Sequence, residues 1–158
     1  MALITRTISL SQEIAINPSR AFACITDLAG YNTWLPQSDA FKGTTEISDN
    51  PIKVGTRYIE TSPNGTRYGE VTALDEGSCH VRFHQPLKAR PEIMGLQIDI
   101  VVDMRVDEGP HGGCVLQREM ALGFPWIMWP LVGFITRQVE LEVRRVVQVL
   151  KEHLEAKG

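Results

Sequence analysis

Ile14-Ala15-Ile16-Asn17-Pro18-Ser19 opens a stretch that runs on through Phe22, Asp27-Leu28 and Tyr31 to Trp34-Leu35-Pro36. Upstream of it, Ile4, Ile8, Leu10, Ile14 and Ile16 share one parity against Thr5, Thr7, Ser9, Ser11 and Glu13, the alternation of a half-buried strand. Asn17 suits a helix N-cap and Pro18 the first helical turn. A helix is therefore predicted over 18–27, with Ala21, Phe22 and Ile25 on its buried side. Gly30 breaks it, and a second short helix through Tyr31 and Trp34 ends before Pro36, since the residue ahead of a proline is pushed out of the helical region.

Downstream the signals are strands separated by turn residues. They cover about 39–48, closed by Asp49-Asn50-Pro51; 55–62, closed by Pro63-Asn64-Gly65; 66–75, closed by Glu76-Gly77; and 79–85. Asn-Gly is the strongest short hairpin cue among them. Residues 86–95, with two prolines and a glycine, read as a loop. Two long strands follow, over 96–107 and 113–124, joined at Gly109-Pro110-His111-Gly112-Gly113. Beyond Pro125 and Pro130, apolar residues recur at Val132, Ile135, Val139, Val143, Val146/Val147, Leu150 and Leu154, with charges on the other faces. This is a long amphipathic helix. Strands followed by a segregated helix make an α+β domain, and no repeat or linker divides residues 1–158.

The length of 158 residues suits one domain with a sizeable core. A net charge of −3 lacks the basic stripe of a nucleic-acid binder. Cys24, Cys79 and Cys114 are an odd number with no CxxC spacing, which reads as reduced thiols in a cytoplasmic protein rather than a disulfide framework. The opening Met-Ala-Leu-Ile-Thr-Arg lacks the apolar run expected of a signal peptide, and no apolar run is long enough to span a bilayer.

Strand parity shows which residues face inward. On 96–106 the even set Leu96, Ile98, Ile100, Val102, Met104 and Val106 is apolar; on 79–85 the inward set is Cys79, Val81, Phe83 and Gln85. On 114–124 it is Cys114, Leu116, Arg118, Met120, Leu122 and Phe124, and Arg118 is the anomaly. A guanidinium keeps its charge in a protein, so an inward arginine needs a carboxylate, carbonyls, water or an anionic ligand. His80, His84, His111 and His153 read as surface residues. His80 and His84 stand about 13 Å apart along a strand, too far to share a metal. No metal or cofactor motif is present, and Cys114, with no histidine on its face, reads as core. The segment from Phe124 to Phe134 is strongly apolar. Trp126 or Trp129 either plugs the interior or meets a greasy ligand, a membrane or a second copy; with few basic residues in it, stable membrane anchoring is not expected.

Asn17-Pro18-Ser19, Asp27-Leu28, Trp34-Leu35-Pro36, Val54-Gly55-Thr56-Arg57 and the terminal helix to Leu154-Glu155 together resemble the START-like, or SRPBCC, superfamily of polyketide cyclases and lipid-transport proteins. The resemblance covers nearly the whole chain. It implies a helix-grip fold: a curved seven-stranded antiparallel sheet wrapped around a long C-terminal helix, with two short helices after the first strand. It also implies Tyr58 and Glu60 facing inward, with Glu60 as counter-ion to Arg118. The expected function is binding of a small hydrophobic ligand (a lipid, isoprenoid or polyketide) in a cavity between sheet and helix. Its walls would be Val81, Phe83, Ile98, Ile100, Val102, Leu116, Met120 and the Phe134/Ile135/Val139 side of the helix. The alternative is a polyketide cyclase/dehydratase with Tyr58, Glu60 and Arg118 as catalytic groups. A third reading makes the Trp126–Phe134 segment a partner or homodimer surface. No cofactor, metal or nucleic-acid partner is implied.

Overall fold

The computed structural model describes residues 3–38 and 41–157. Strand β1 (Leu3–Ile14) has Ile8 and Ile14 buried on one side and leads into α1 (Pro18–Thr26) and α2 (Tyr31–Trp34). The cap forms as its chemistry requires: Asn17 Oδ1 accepts from the Arg20 amide at 2.9 Å, satisfying a donor the helix cannot. Seven further strands follow, β2 (Thr44–Thr45), β3 (Arg57–Ser62), β4 (Gly65–Asp75), β5 (His80–His84), β6 (Leu87–Ala89), β7 (Gln97–Glu108) and β8 (Cys114–Pro125), before α3 (Val132–Lys157). All pairings are antiparallel, in the order β1-β8-β7-β5-β4-β3-β2, with β6 pairing β4 and β7.

Two details depart from the expectation. The sheet has eight strands among the described residues, not seven, because Leu87–Ala89 pairs within the stretch read as a loop. A proline cannot donate to a ladder, but Pro86 and Pro91 flank the paired residues and leave their amides free. Conversely, the strand expected over 39–48 pairs only at Thr44 and Thr45; residues 39 and 40 lie outside the described residues. The Asn32 amide stands in for a neighbour on that edge, accepting from Thr44 N and donating to Thr44 O, both at 2.9 Å. An edge strand closed in this way is a poor template for further pairing.

The helix seats itself by its C-terminal half. Val143, Val147, Leu150 and Leu154 are buried at helical spacing, each burial stabilising by roughly 1.5–3 kcal/mol relative to exposure. Glu155 Oε2 accepts from Ala15 N at 2.9 Å, and His153 stacks on Trp34 with ring centroids 5.6 Å apart. In the first half of α3, Ile135 and Val139 are only half-buried, and Phe134 and Leu141 are exposed. The grip is tight at one end and slack at the other.

One glycine is required by a close approach. Gly69 lies opposite Tyr58 across β3 and β4, and a Cβ there would meet Tyr58 Cζ at 2.1 Å. The phenol ring therefore lies over bare backbone. Replacing Gly69 with Ala should destabilise the protein by about 1–3 kcal/mol, the usual cost of overpacking. In a Tyr58→Ala background the same substitution should cost much less. Urea denaturation of the four proteins checks this; equal penalties in both backgrounds would disconnect Gly69 from Tyr58.

Candidate functional site

Tyr58, Glu60 and Ser62 alternate inward along β3, all three buried. Across the hairpin their partners are Gly69, Arg67 and Gly65. Glu60 Oε2 accepts from Arg67 Nη2 at 2.8 Å and from Arg67 Nε at 3.1 Å, while Oε1 lies 3.4 Å from the Thr44 hydroxyl on β2. This corrects the expected pairing: the counter-ion of Glu60 is Arg67, not Arg118. Directly opposite residues in an antiparallel pair have Cβ atoms ~5 Å apart, so Arg67 reaches Glu60 with no reorganisation of the sheet. Arg67 could have been placed inward from sequence once Glu60 was, because a two-residue hairpin pairs even positions of one strand with odd positions of the other, and paired residues share a face.

Tyr58 donates its hydroxyl to Gln85 Oε1 at 2.7 Å and meets Phe83 edge-on, centroids 5.9 Å apart. Its pKa is raised well above the usual phenol value, chiefly by burial and secondarily by the charge of Glu60. Tyr31, which the sequence reading did not place in the site, donates to Ile25 O at 2.7 Å. Burial raises its pKa too, against the opposing pull of Arg118. Both phenols are neutral hydroxyls whose protons are already committed to acceptors.

Arg118 projects inward from β8, between the buried Leu116 and Met120. Desolvation lowers its pKa from the ordinary guanidinium value, and the neighbouring Tyr31, Glu60 and Tyr58 oppose that shift. Its Nε is buried with no acceptor, as is the Thr136 hydroxyl of α3. Trp34 Nε1 is likewise buried without an acceptor, but a guanidinium is an obligate donor that keeps its charge, so of these three groups Arg118 has the strongest unmet demand for an oxygen. Glu60, by contrast, has both carboxylate oxygens engaged, Oε2 by Arg67 and Oε1 by the Thr44 hydroxyl.

Of the expected wall residues, Val81, Phe83, Ile98, Ile100, Val102, Leu116 and Met120 are all buried on the inner face. Ile135 and Val139 are half-buried beneath α3. Phe134 is not a wall residue: it is 67% exposed, because the buried stripe of the helix passes through Val132 and Ile135 and leaves position 134 on the outer side. Trp126 and Trp129 are likewise exposed, and Met128 is the side chain of that segment that packs into the core. Burial pushes the Cys114 thiol up, as suits a core residue. The three cysteines are unbridged. His80 and His84 lie on the outer face as read, held by Asp103 at 2.8 Å and Asp99 at 2.5 Å. Among the described residues no group of three or more ligands is arranged for a metal, and no helix is long and apolar enough to cross a membrane.

A sheet curled about one long helix, with a few polar groups on an otherwise apolar inner face, defines a helix-grip protein. The family model for "Polyketide cyclase / dehydrase and lipid transport" matches residues 5–155, and the chain belongs to that family. Norcoclaurine synthase from Thalictrum flavum, a point mutant in complex with a transition state analogue, superposes with a TM-score of 0.73 at 16% identity, over 100% of this chain and 99% of the other. Protein MLL2253 from Mesorhizobium loti gives 0.71 at 17% identity, over 97% and 99%. Ara h 8.0201 gives 0.66 at 12%, again over 97% and 99%. At these identities the likeness is one of fold. A comparison with curated proteins finds no match.

Removing one member of the Glu60–Arg67 pair leaves a charge in a site whose side chains are 10% and 15% exposed. Arg67→Met should cost about 3 kcal/mol, and adding Glu60→Gln should recover most of it; chemical denaturation measures both. The tyrosines give a pH dependence. Tyr31 and Tyr58 stay protonated in the native state above the reference pKa of 10.0. The unfolded chain loses those protons first, so stability is fully present below about pH 10 and falls as pH rises beyond it. Tyr58→Phe should make that alkaline decline shallower.

Proposed function

We propose that the grip between the sheet and α3 binds a small, mainly hydrophobic molecule and that Arg118 meets an oxygen-bearing end of it, a carboxylate, phenolate or enolate. The observation that carries this reading is the buried Arg118 Nε without an acceptor. A donor left unmet in a low-dielectric interior is costly, and an anionic or carbonyl oxygen meets that demand while an apolar body lies against Val81, Val102, Leu116 and Met120. Mostly apolar walls with a few placed polar groups are what small-molecule sites are made of. Norcoclaurine synthase has been solved in complex with dopamine and hydroxybenzaldehyde, so one relative of this fold holds small aromatic molecules. Three free thiols agree with a cytoplasmic setting.

The second reading is a cyclase or dehydratase. It is favoured by the juxtaposition of Tyr58, Glu60 and Arg118, whose charges and dipoles act on one another. In that chemistry Arg118 stabilises a developing enolate, as a preorganised donor does. The Tyr58 hydroxyl is the proton-bearing group beside it, and Glu60, held by Arg67, positions and polarises rather than abstracts.

Native mass spectrometry of the protein purified from its host, with organic extraction, tests for a retained acidic or carbonyl-bearing apolar molecule. For a fixed probe, 1-anilinonaphthalene-8-sulfonate combines an apolar body with an anion. Arg118→Met should weaken its binding by roughly tenfold or more, the worth of one hydrogen bond to a charged group, while Val102→Ala should weaken neutral and anionic probes alike. Equal affinity of wild type and Arg118→Met for the anionic probe, with the variant folded, would remove Arg118 from the site.

A further inference from the structure

The two edges of the sheet are finished differently. At one, β2 is two residues long and Asn32 occupies its outer side. At the other, β1 is twelve residues long and carries no proline. It pairs with β8 throughout without a bulge, and no other strand lies beside it among the described residues. Natural sheets usually blunt such an edge with prolines, bulges or a covering element.

In an antiparallel pair, alternate residues turn both backbone groups toward the partner strand and the others turn both away. Three contacts identify the set turned away in β1. Arg6 Nη1 donates to Thr5 O and Gln12 Nε2 to Glu13 O, both at 2.9 Å, so carbonyls at odd positions face out of the ladder. Ile14 O, at an even position, lies 2.8 Å from where a Cβ on Gly113 would stand, on the β8 side. The N–H and C=O groups of Thr7, Ser9 and Ser11 therefore point to the open edge, and all three residues are exposed. This free stretch is symmetric about its centre. Arg6 and Gln12 stand three positions either side of Ser9, and the carbonyls they cap stand four.

We infer that this edge pairs antiparallel with the same edge of a second copy of the chain, about a two-fold axis through Ser9. Such an axis is perpendicular to the sheet and keeps inner face beside inner face, so residues of like parity oppose each other. Ser9 then faces Ser9 of the second copy, and Thr7 faces its Ser11, each pair exchanging two backbone hydrogen bonds. Their hydroxyls meet on the outer face, where Thr–Ser pairs across strands are favourable. On the inner face the buried Ile8 meets Leu10, which is only half-buried in the single chain. Arg6 meets Gln12, next to Glu13, so opposite charges approach at both ends and like charges oppose nowhere. Sliding the register by two in either direction would set Arg6 against Leu10 or Ile14 instead, which leaves the Ser9-centred pairing as the one that suits the charges. The contact lies outside the grip, so the inference goes beyond the ligand reading and stands without it.

Sedimentation equilibrium tests it, with a concentration-dependent monomer–dimer equilibrium expected for the wild type. Ser9→Lys brings like charges face to face at the axis and should weaken the dimer roughly tenfold or more. The position is exposed, and circular dichroism checks that the variant folds. Ser9→Cys supplies an independent readout. Opposed residues of a hydrogen-bonded pair have Cα atoms about 5.5 Å apart, within disulfide range. Oxidised glutathione should therefore link two chains of that variant through position 9, as peptide mass spectrometry would show. Thr5→Cys, whose counterpart lies roughly 26 Å away along the strands, should not link to itself. A monomer at every concentration, a dimer indifferent to Ser9→Lys, or no link through position 9 would each overturn the inference. A dimer held by another surface, such as Trp126 and Trp129, would appear as the second of these.

Discussion

Glu60 faces two guanidinia on the inner side of one sheet, and most of the interior's chemistry follows from which of them it takes. Arg67 wins on geometry: it stands directly across the β3–β4 pair. Arg118 lies on β8, with β7, β5 and β4 between it and β3 in the sheet order. Curvature brings Arg118 within electrostatic range of Glu60, Tyr31 and Tyr58, but not into a pair with the carboxylate. A charge that cannot be shed is thereby kept in a desolvated place with donor capacity left over. One carboxylate cannot pair fully with both guanidinia; because Glu60 takes Arg67, the one left with unmet donor capacity is Arg118, and a ligand oxygen can meet that demand.

The scaffold keeps that arrangement in place by being rigid at one end. The C-terminal half of α3 is fixed by its buried valines and leucines, by Glu155 on the Ala15 amide and by the Trp34–His153 stack. Side chains of Glu142 and Arg145 also reach Ser38, at 3.2 Å. The first half carries few buried groups and ends in an apolar turn that faces outward. Local stability is expected to follow the density of buried contacts, so opening of the grip belongs to the end where Phe134 and the tryptophans are exposed.

Much of the fold was legible because it rests on local rules. The alternation in β1, β5, β7 and β8, the Asn17-Pro18 helix start and the stripe along α3 are periodicities and caps, and each appears where the residues place it. Elements defined by their neighbours were harder. β6 is three residues whose strand character comes only from lying between β4 and β7, and β2 shrinks to two because Asn32 occupies its edge. The hairpin between β3 and β4 turns on Pro63-Asn64, with Gly65 already paired to Ser62. A turn on Asn64-Gly65 would have slid the register by two and set Glu60 against Gly69.

The inward positions of Arg118 and of the apolar wall were thus determined by the sequence alone, because a strand's period of two admits no other face once its apolar residues are buried. The pairing of Glu60 with Arg67, the neutral phenols around Arg118 and the exposure of Phe134 were decided by tertiary structure. Charge and hydrogen-bond partnership depend on distances of a few ångströms between residues remote in sequence, and these distances exist only after the sheet has closed.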